Sequence, residues 1–186
     1  MHRRRFLQTS LASLAAASLV GPSHLVLAQS CPPRTEPNIE GPFYRPLAPE
    51  RSTLVEPAPL VLSGVVMDNR CRPFRDAVLE VWQADAEGEY DLHGDRFRGT
   101  LRTDAHGAYR LATIRPGRYR NGATYRPPHL HVKVHATGRS PLTTQLYFPN
   151  APENEGDPWF SERLVIQLQP RGCHPGPRRA RFDFVV

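Results

Sequence analysis

Cysteine is scarce in this 186-residue chain, which has only Cys31, Cys71 and Cys173. None stands in a C-x-x-C pair, and their wide separation excludes the close-spaced thiolate clusters that hold structural zinc. Long hydrophobic runs are missing as well. The apolar stretch at residues 11–20 is too short to span a bilayer as a permanent anchor. Basic excess is modest: the formal charge is +6, and Arg3, Arg4 and Arg5 account for enough of it to leave about +3 on the rest. Lysine and arginine are scattered except at Arg178-Arg179-Ala180-Arg181, with no aromatic stacking platforms between them. Nucleic acid is therefore not an expected partner, and that short cluster reads as a solvated face or tail. No segment sustains a 3.6-residue apolar period, and there is no internal repeat.

The amino terminus has its own logic. A basic start, HRRRFL, leads into the apolar stretch, a Gly21-Pro22 break and the small-residue sequence Val26-Leu27-Ala28. Residues 1–28 therefore read as an export signal, with Arg3-Arg4-x-Phe6-Leu7 resembling a twin-arginine type, and they stand apart from the fold. The expected location is periplasmic or extracellular. An oxidising compartment favours one disulfide, with the third thiol buried, free or intermolecular; three pairings are open.

Proline, at 20 residues, punctuates short apolar runs without making a low-complexity tract. Residues 29–59 lack helical periodicity and read as an extended arm. Residues 60–186 read as one domain, with strands expected at 60–67, 77–82, 107–111, 129–136, 143–148, 163–169 and 181–186. Turn residues such as Asp68-Asn69, Glu87-Gly88, Arg115 to Gly117 and Asn121-Gly122 separate them. Short strands with Pro/Gly-rich connections predict an all-β chain, an antiparallel β-sandwich with long loops. The acidic loop at 149–158 is expected to lead into a brief helical turn around Asp157-Pro158-Trp159-Phe160.

Within 129–136, a period of two places His129, His131, Lys133 and His135 on one face and Leu130, Val132 and Val134 on the core face. His129 and His131 would lie about 6.5 to 7 Å apart along the strand, close enough to share one ion, whereas His135 is roughly 13 Å beyond His131. By itself such a pair is equally a pair of surface histidines. The entry through Pro127-Pro128 stiffens the start of the strand. Tyr90 and Tyr119 each follow a glycine-containing turn, where a β scaffold concentrates binding groups. Either one alone would pass for a packing residue with a bonded hydroxyl.

Five stretches carry a resemblance to the intradiol ring-cleavage dioxygenases, the family of protocatechuate 3,4-dioxygenase and the catechol 1,2-dioxygenases. They are Glu40-Gly41-Pro42-Phe43-Tyr44; Val81-Trp82-Gln83-Ala84-Asp85 through Gly88-x-Tyr90; Arg115-Pro116-Gly117-x-Tyr119; Tyr125-Arg126-Pro127-Pro128-His129-Leu130-His131-Val132; and Thr144-Gln145-Leu146-Tyr147-Phe148. The resemblance implies that Tyr90, Tyr119, His129 and His131 are the protein ligands of a non-haem Fe(III). Tyr119 and His131 would be axial, with Tyr90, His129 and a water or hydroxide in the plane. Arg126 matches an arginine beside the ring being cleaved, and Gln145 a glutamine behind the ligands. The implied substrates are a catechol-type aromatic and O2, opened between the two hydroxyl-bearing carbons to a cis,cis-muconate-type diacid. Tyr119 would take a proton from the incoming catechol. The donor types suit the ion, since phenolates and neutral imidazoles favour hard Fe(III).

The chain resembles the shorter protocatechuate-type subunits rather than catechol 1,2-dioxygenases with a helical amino-terminal domain. Only Arg120 separates Tyr119 from Asn121, where the protocatechuate enzyme has a longer link with a tryptophan, so a more open pocket is expected. Homo-oligomerisation stays open. The rival reading is an exported, noncatalytic β-sandwich binding module for aromatic or polysaccharide ligands, presenting exposed Tyr125, Trp159 and Phe160.

Overall fold

Alternation along the strands builds the core. In the computed structural model, which describes residues 31–170 and 175–186, β1 (Leu60–Met67) buries every second residue. The expected export signal and Cys173 lie outside the described residues. The chain continues through β2 (Val78–Trp82), β3 (Arg98–Arg102), β4 (Ala108–Thr113), β5 (Tyr119–Asn121), β6 (Thr124–Arg126), β7 (His129–His135) and β8 (Leu142–Tyr147). It then reaches β9 (Gln167–Leu168), β10 (Arg178–Arg181) and β11 (Phe184–Val185), after two short 3-10 turns at Pro152–Gly156 and Glu162–Leu164. No helix among the described residues is long and apolar enough to cross a membrane.

Two sheets and a hairpin result. One sheet runs β3-β2-β7-β8 and is antiparallel throughout. In the other, β1 pairs antiparallel with β4 and parallel with β10 and β11, and β9 completes the edge. β5 and β6 form the separate hairpin. Leu62, Val66 and Leu111 of one sheet and Leu79, Val81, Leu130, Val132 and Leu146 of the other belong to a single buried cluster. Each such side chain taken from water contributes about 1.5–3 kcal/mol, which is what joins the sheets. This is the expected all-β sandwich, with parallel pairing added where the carboxy-terminal segment returns beside β1.

Several local expectations differ from the structure. The cluster at Arg178-Arg179-Ala180-Arg181 is a paired strand: Ala180 is fully buried, Arg178 on the same face is half-buried, and Arg179 and Arg181 are exposed on the other. The strand expected at 181–186 is broken: the Phe182 N–H donates to Ser63 and the Asp183 carboxylate accepts from the Val65 N–H, kinking the chain between β10 and β11. Residues 163–169 begin as a 3-10 turn, closed by the Leu164 and Val165 N–H groups on Ser161 and Glu162, and only Gln167–Leu168 is strand. The brief turn expected at Asp157-Pro158-Trp159-Phe160 is present, closed by the Phe160 N–H on the Asp157 carbonyl, and a 3-10 turn at Pro152–Gly156 precedes it. β3 and the hairpin went unanticipated, since Arg98–Arg102 (RGTLR) shows no apolar alternation.

Residues 31–59 contain no strand run and lie along sheet edges. Asn38 donates its N–H to Thr143 in β8, Arg51 to Thr100 in β3, and Leu54 to Ala112 in β4. This covers backbone groups that an open edge would otherwise expose. A disulfide joins Cys31 to Cys71, tying the start of this segment to the turn after β1.

Candidate metal centre

Alternation in β7 sends Leu130, Val132 and Val134 into the core and His129 and His131 to the opposite face, where both are almost wholly buried. Their Nε2 atoms are 3.1 Å apart. The Nδ1–H of His129 donates to the Pro127 carbonyl at 2.7 Å, which leaves an Nε2 lone pair facing the site. His131 stacks flat on Trp82, with centroids 4.8 Å apart and planes at 8°.

Two loops bring in the phenols. After β2, the Asp85 carboxylate accepts from the N–H groups of Glu87 and Glu89, and the Asp85 carbonyl from that of Gly117, so one residue organises both tyrosine loops. Gly88 sits between them at φ +91°, and a Cβ there would lie 2.1 Å from the Arg118 carbonyl oxygen. Tyr90 emerges with its hydroxyl 3.5 Å from His129 Nε2 and its ring stacked on Phe43 at 4.1 Å. Tyr119 opens β5 and pairs across the hairpin with Arg126. Its ring lies 5.6 Å from Tyr90 and 5.8 Å from His129.

Two observations test whether this set fits a metal ion. His131 Nδ1 is buried without a partner. If His131 carries its proton on Nε2, to bond His129, its Nδ1 lone pair is orphaned; the other tautomer sets lone pair against lone pair. Protonation offers little relief. Burial, then Arg126, holds His129 down to about 3, and burial, then the neighbouring His129 and Arg126, holds His131 well below its ordinary value. A cation held between the two Nε2 atoms would remove the clash of lone pairs, with the His131 proton then on Nδ1. Gly41, at φ +71°, keeps the space beside them: a Cβ there would lie 3.3 Å from His131 Cε1 and 3.8 Å from Nε2. Among the described residues no three His, Cys, Asp or Glu side chains form a metal-holding group, so a donor set built on the two histidines would need the phenols. Two imidazoles and two phenols fit a hard ferric ion. Burial, with Tyr119 adding, pushes the Tyr90 phenol well above its usual value, while Arg126 and Arg98 pull it back.

Arg126 is buried next to Tyr119. Its guanidinium donates to both oxygens of Asp157, to Gln145 Oε1 at 2.8 Å and to the Tyr147 hydroxyl at 3.2 Å, with the Trp159 ring 4.5 Å away. Burial opposes the charged form, but the bonds to Asp157 and Tyr119 outweigh it and raise the guanidinium's pKa. Gln145, opposite His131 in the sheet, donates in turn to the Ile39 carbonyl. The structure thus brings Tyr90, Tyr119, Arg126, His129, His131 and Gln145 together. His135 lies apart, bonded to Glu80 at 2.9 Å.

Asp157, Tyr147, Phe43 and Gly41 carry parts of the site to which the sequence assigns no role, although Gly41, Phe43 and Tyr147 stand within the motif stretches. Asp157 had no local signal, because its partner is 31 positions away. Trp159 and Phe160, expected as exposed ligand-binding aromatics, are instead half-buried: Trp159 covers Arg126 and Phe160 packs edge-on against Tyr147. Of that trio only Tyr125 is exposed.

Residues 39–186 match the family model described as Dioxygenase. The chlorocatechol 1,2-dioxygenase of Cupriavidus pinatubonensis (strain JMP 134 / LMG 1197) is 32% identical over 180 residues, covering 81% of this chain and 68% of the relative. The dioxygenase domain of a dioxygenase carbohydrate-binding protein fusion from Streptomyces sp. SirexAA-E superposes with a TM-score of 0.76 at 40% identity, covering 83% of this chain and 98% of that domain. The 3-chlorocatechol 1,2-dioxygenase of Rhodococcus opacus 1CP gives 0.73 at 30% identity, over 81% and 71%. With a β-sandwich that gathers two tyrosines and two histidines at one end of β7, and with relatives of this kind along most of its length, the chain belongs to the intradiol ring-cleavage dioxygenase family.

Proposed function

We propose that this protein is an exported, Fe(III)-dependent dioxygenase that opens catechol-type rings between the two hydroxyl-bearing carbons with O2, giving cis,cis-muconate-type diacids. The observation that carries this reading is the convergence of Tyr90 and Tyr119 on the buried imidazole pair of His129 and His131, whose Nε2 atoms face each other at 3.1 Å. Fe(III), if bound by these four side chains, would supply a Lewis acid for the catechol oxygens and an electron-withdrawing centre for the ring. His129 and His131 stay neutral and hold position, His129 through Pro127 and His131 through the Trp82 stack. Tyr119 accepts a catechol proton at its phenolate oxygen. Arg126, aimed by Asp157, Gln145 and Tyr147, presents N–H donors where negative charge develops on the ring. Phe43 and Trp82 wall the site with apolar surface and exclude water. The Cys31–Cys71 disulfide supports the exported reading, since such bonds persist in oxidising compartments.

The test is direct. Iron-loaded protein is expected to be burgundy from tyrosinate-to-iron charge transfer, to change colour when catechol is added anaerobically, and to release a ring-opened diacid on admission of air. Protein that stays colourless and inactive after iron loading would overturn the reading and leave a binding module. A panel of catechol, protocatechuate, hydroxyquinol and chlorocatechol, with products identified, would assign the substrate.

A further inference from the structure

Behind the two tyrosine loops lies a cavity that the chemistry above does not use. It measures about 550 Å³ and is walled by Leu60, Ile114, Phe148 and Leu168, with Arg115 and Arg178 also lining it. Among the described residues neither arginine forms an ion pair, and no aspartate or glutamate lines the cavity. Acids close in the chain are elsewhere: Asp183 takes Arg181, and Glu56 and Glu87 are exposed and stand outside the walls. Residues 1–30 and 171–174 contain no acid at all. Arg115 lies within cation–π range of Phe148, its guanidinium carbon 5.5 Å from the ring centroid, which leaves its N–H groups free for an acceptor. Arg178 is set opposite Leu60, with its backbone N–H on the Pro59 carbonyl at 2.7 Å.

A chamber of this size with apolar walls and a few convergent polar groups is the usual form of a small-molecule site. Two guanidiniums without carboxylates beside such walls suit a ligand that carries two carboxylates on an apolar body. Ring opening supplies one. Catechol plus O2 becomes a single diacid, an unsaturated four-carbon chain with a carboxylate at each end, both ionised at neutral pH.

The cavity also touches both tyrosine loops. Ala86, on the way to Tyr90, and Arg115, on the way to Tyr119, are both part of its wall. The loops meet beside it: the Gly117 N–H donates to the Asp85 carbonyl at 2.7 Å, and a Cβ on Gly117 would lie 2.3 Å from the Ala86 carbonyl oxygen. A ligand seated against Ala86 and Arg115 therefore bears on the backbone that presents Tyr90 and Tyr119.

We propose that this cavity is a second site for the released diacid, held by Arg115 and Arg178 with its carbon chain on the apolar wall, and that filling it slows turnover through the tyrosine loops. The identity of the diacid rests on the proposed reaction.

The experiment has two arms. In the first, cis,cis-muconate is titrated calorimetrically into the iron-free full chain, with its dimethyl ester as the uncharged control. One molecule of the diacid is expected to bind, and the ester at least about tenfold more weakly. Arg115→Gln and Arg178→Gln should each lose about tenfold or more, as removal of one charged hydrogen-bonding partner implies, while Arg115→Lys and Arg178→Lys keep most of the affinity. In the second arm, muconate added to the iron-loaded chain is expected to lower kcat while leaving KM for catechol in place, and this effect should vanish when both arginines are Gln. No binding by the iron-free chain, or equal binding by wild type and the Gln variants, overturns the site. Inhibition purely competitive with catechol overturns the link to the tyrosine loops. If the wild-type chain stays colourless and opens no ring after iron loading, the Fe(III) reading falls, whereas the first arm still decides the site.

Discussion

The guanidinium of Arg126 and the carboxylate of Asp157 form a buried ion pair beside the candidate metal centre, Nη2 to Oδ2 2.8 Å, with side chains 3% and 1% exposed. The pair spans two parts of the chain: Arg126 ends β6, and Asp157 follows the first 3-10 turn. Its consequence is that Arg126 acts by direction more than by net charge. Asp157 fixes the fork, Gln145 and Tyr147 take the remaining N–H groups, and Trp159 closes one face.

Breaking the pair from the acid side strands a buried cation. Asp157→Ala is expected to cost about 3–5 kcal/mol of stability, the usual penalty for removing one partner of a buried pair. Denaturant unfolding of the iron-free protein measures it. A loss below about 1 kcal/mol, the range of exposed pairs, would mean that the pair is solvated in solution.

Gly41 should resist substitution for a reason tied to His131. Gly41→Ala places a methyl 3.3 Å from His131 Cε1 at a φ of +71°, so both the backbone and the ring must move. Iron affinity is expected to fall about tenfold or more, as for other changes that misorient a ligand, and chelator competition reads this without turnover. Unchanged affinity would show that the ring has room to give.

Tyr119→Phe separates holding iron from moving a proton. The variant is expected to retain much of its iron through His129, His131 and Tyr90, while single-turnover catechol deprotonation slows about a hundredfold or more. Normal turnover would remove Tyr119 from the role of base.

Acid stability should depend on Asp68. Side-chain and backbone hydrogen bonds from Arg72, with the Arg70 N–H, hold its carboxyl down to about 2 from an ordinary 3.8. A carboxyl depressed in the folded state stabilises the protein above its unfolded pKa, and that contribution disappears as pH falls through the folded value. The wild type should therefore lose stability between about pH 4 and pH 2 more steeply than Asp68→Asn. Parallel acid-unfolding curves for the two proteins would contradict this.

Much of the architecture is legible in local patterns. β7 declares itself because its apolar residues alternate with the strand period, and β1 because it is a short, nearly continuous apolar run bounded by turn residues. The 178–181 cluster and β3 are not legible in that way. Their arginines mask a single inward Ala180 in one case and a glycine-containing edge in the other, and neither residue signals burial by itself. The disulfide was one of three arithmetical options until the arm was placed beside the turn after β1.

The candidate site divides along the same line. Sequence alone determined that His129 and His131 share a face, since a two-residue period is a property of any extended chain. It also marked the motifs around Tyr90, Tyr119, Arg126 and Gln145. Only the tertiary structure decided that Asp157 neutralises Arg126, that Gly41 leaves room beside His131, and that Arg115 and Arg178 line one cavity. Those relations depend on strand register and on loops meeting across long separations. Their energies come from burial and from charges brought close in a poorly screened interior, and neither exists until the sheets have packed.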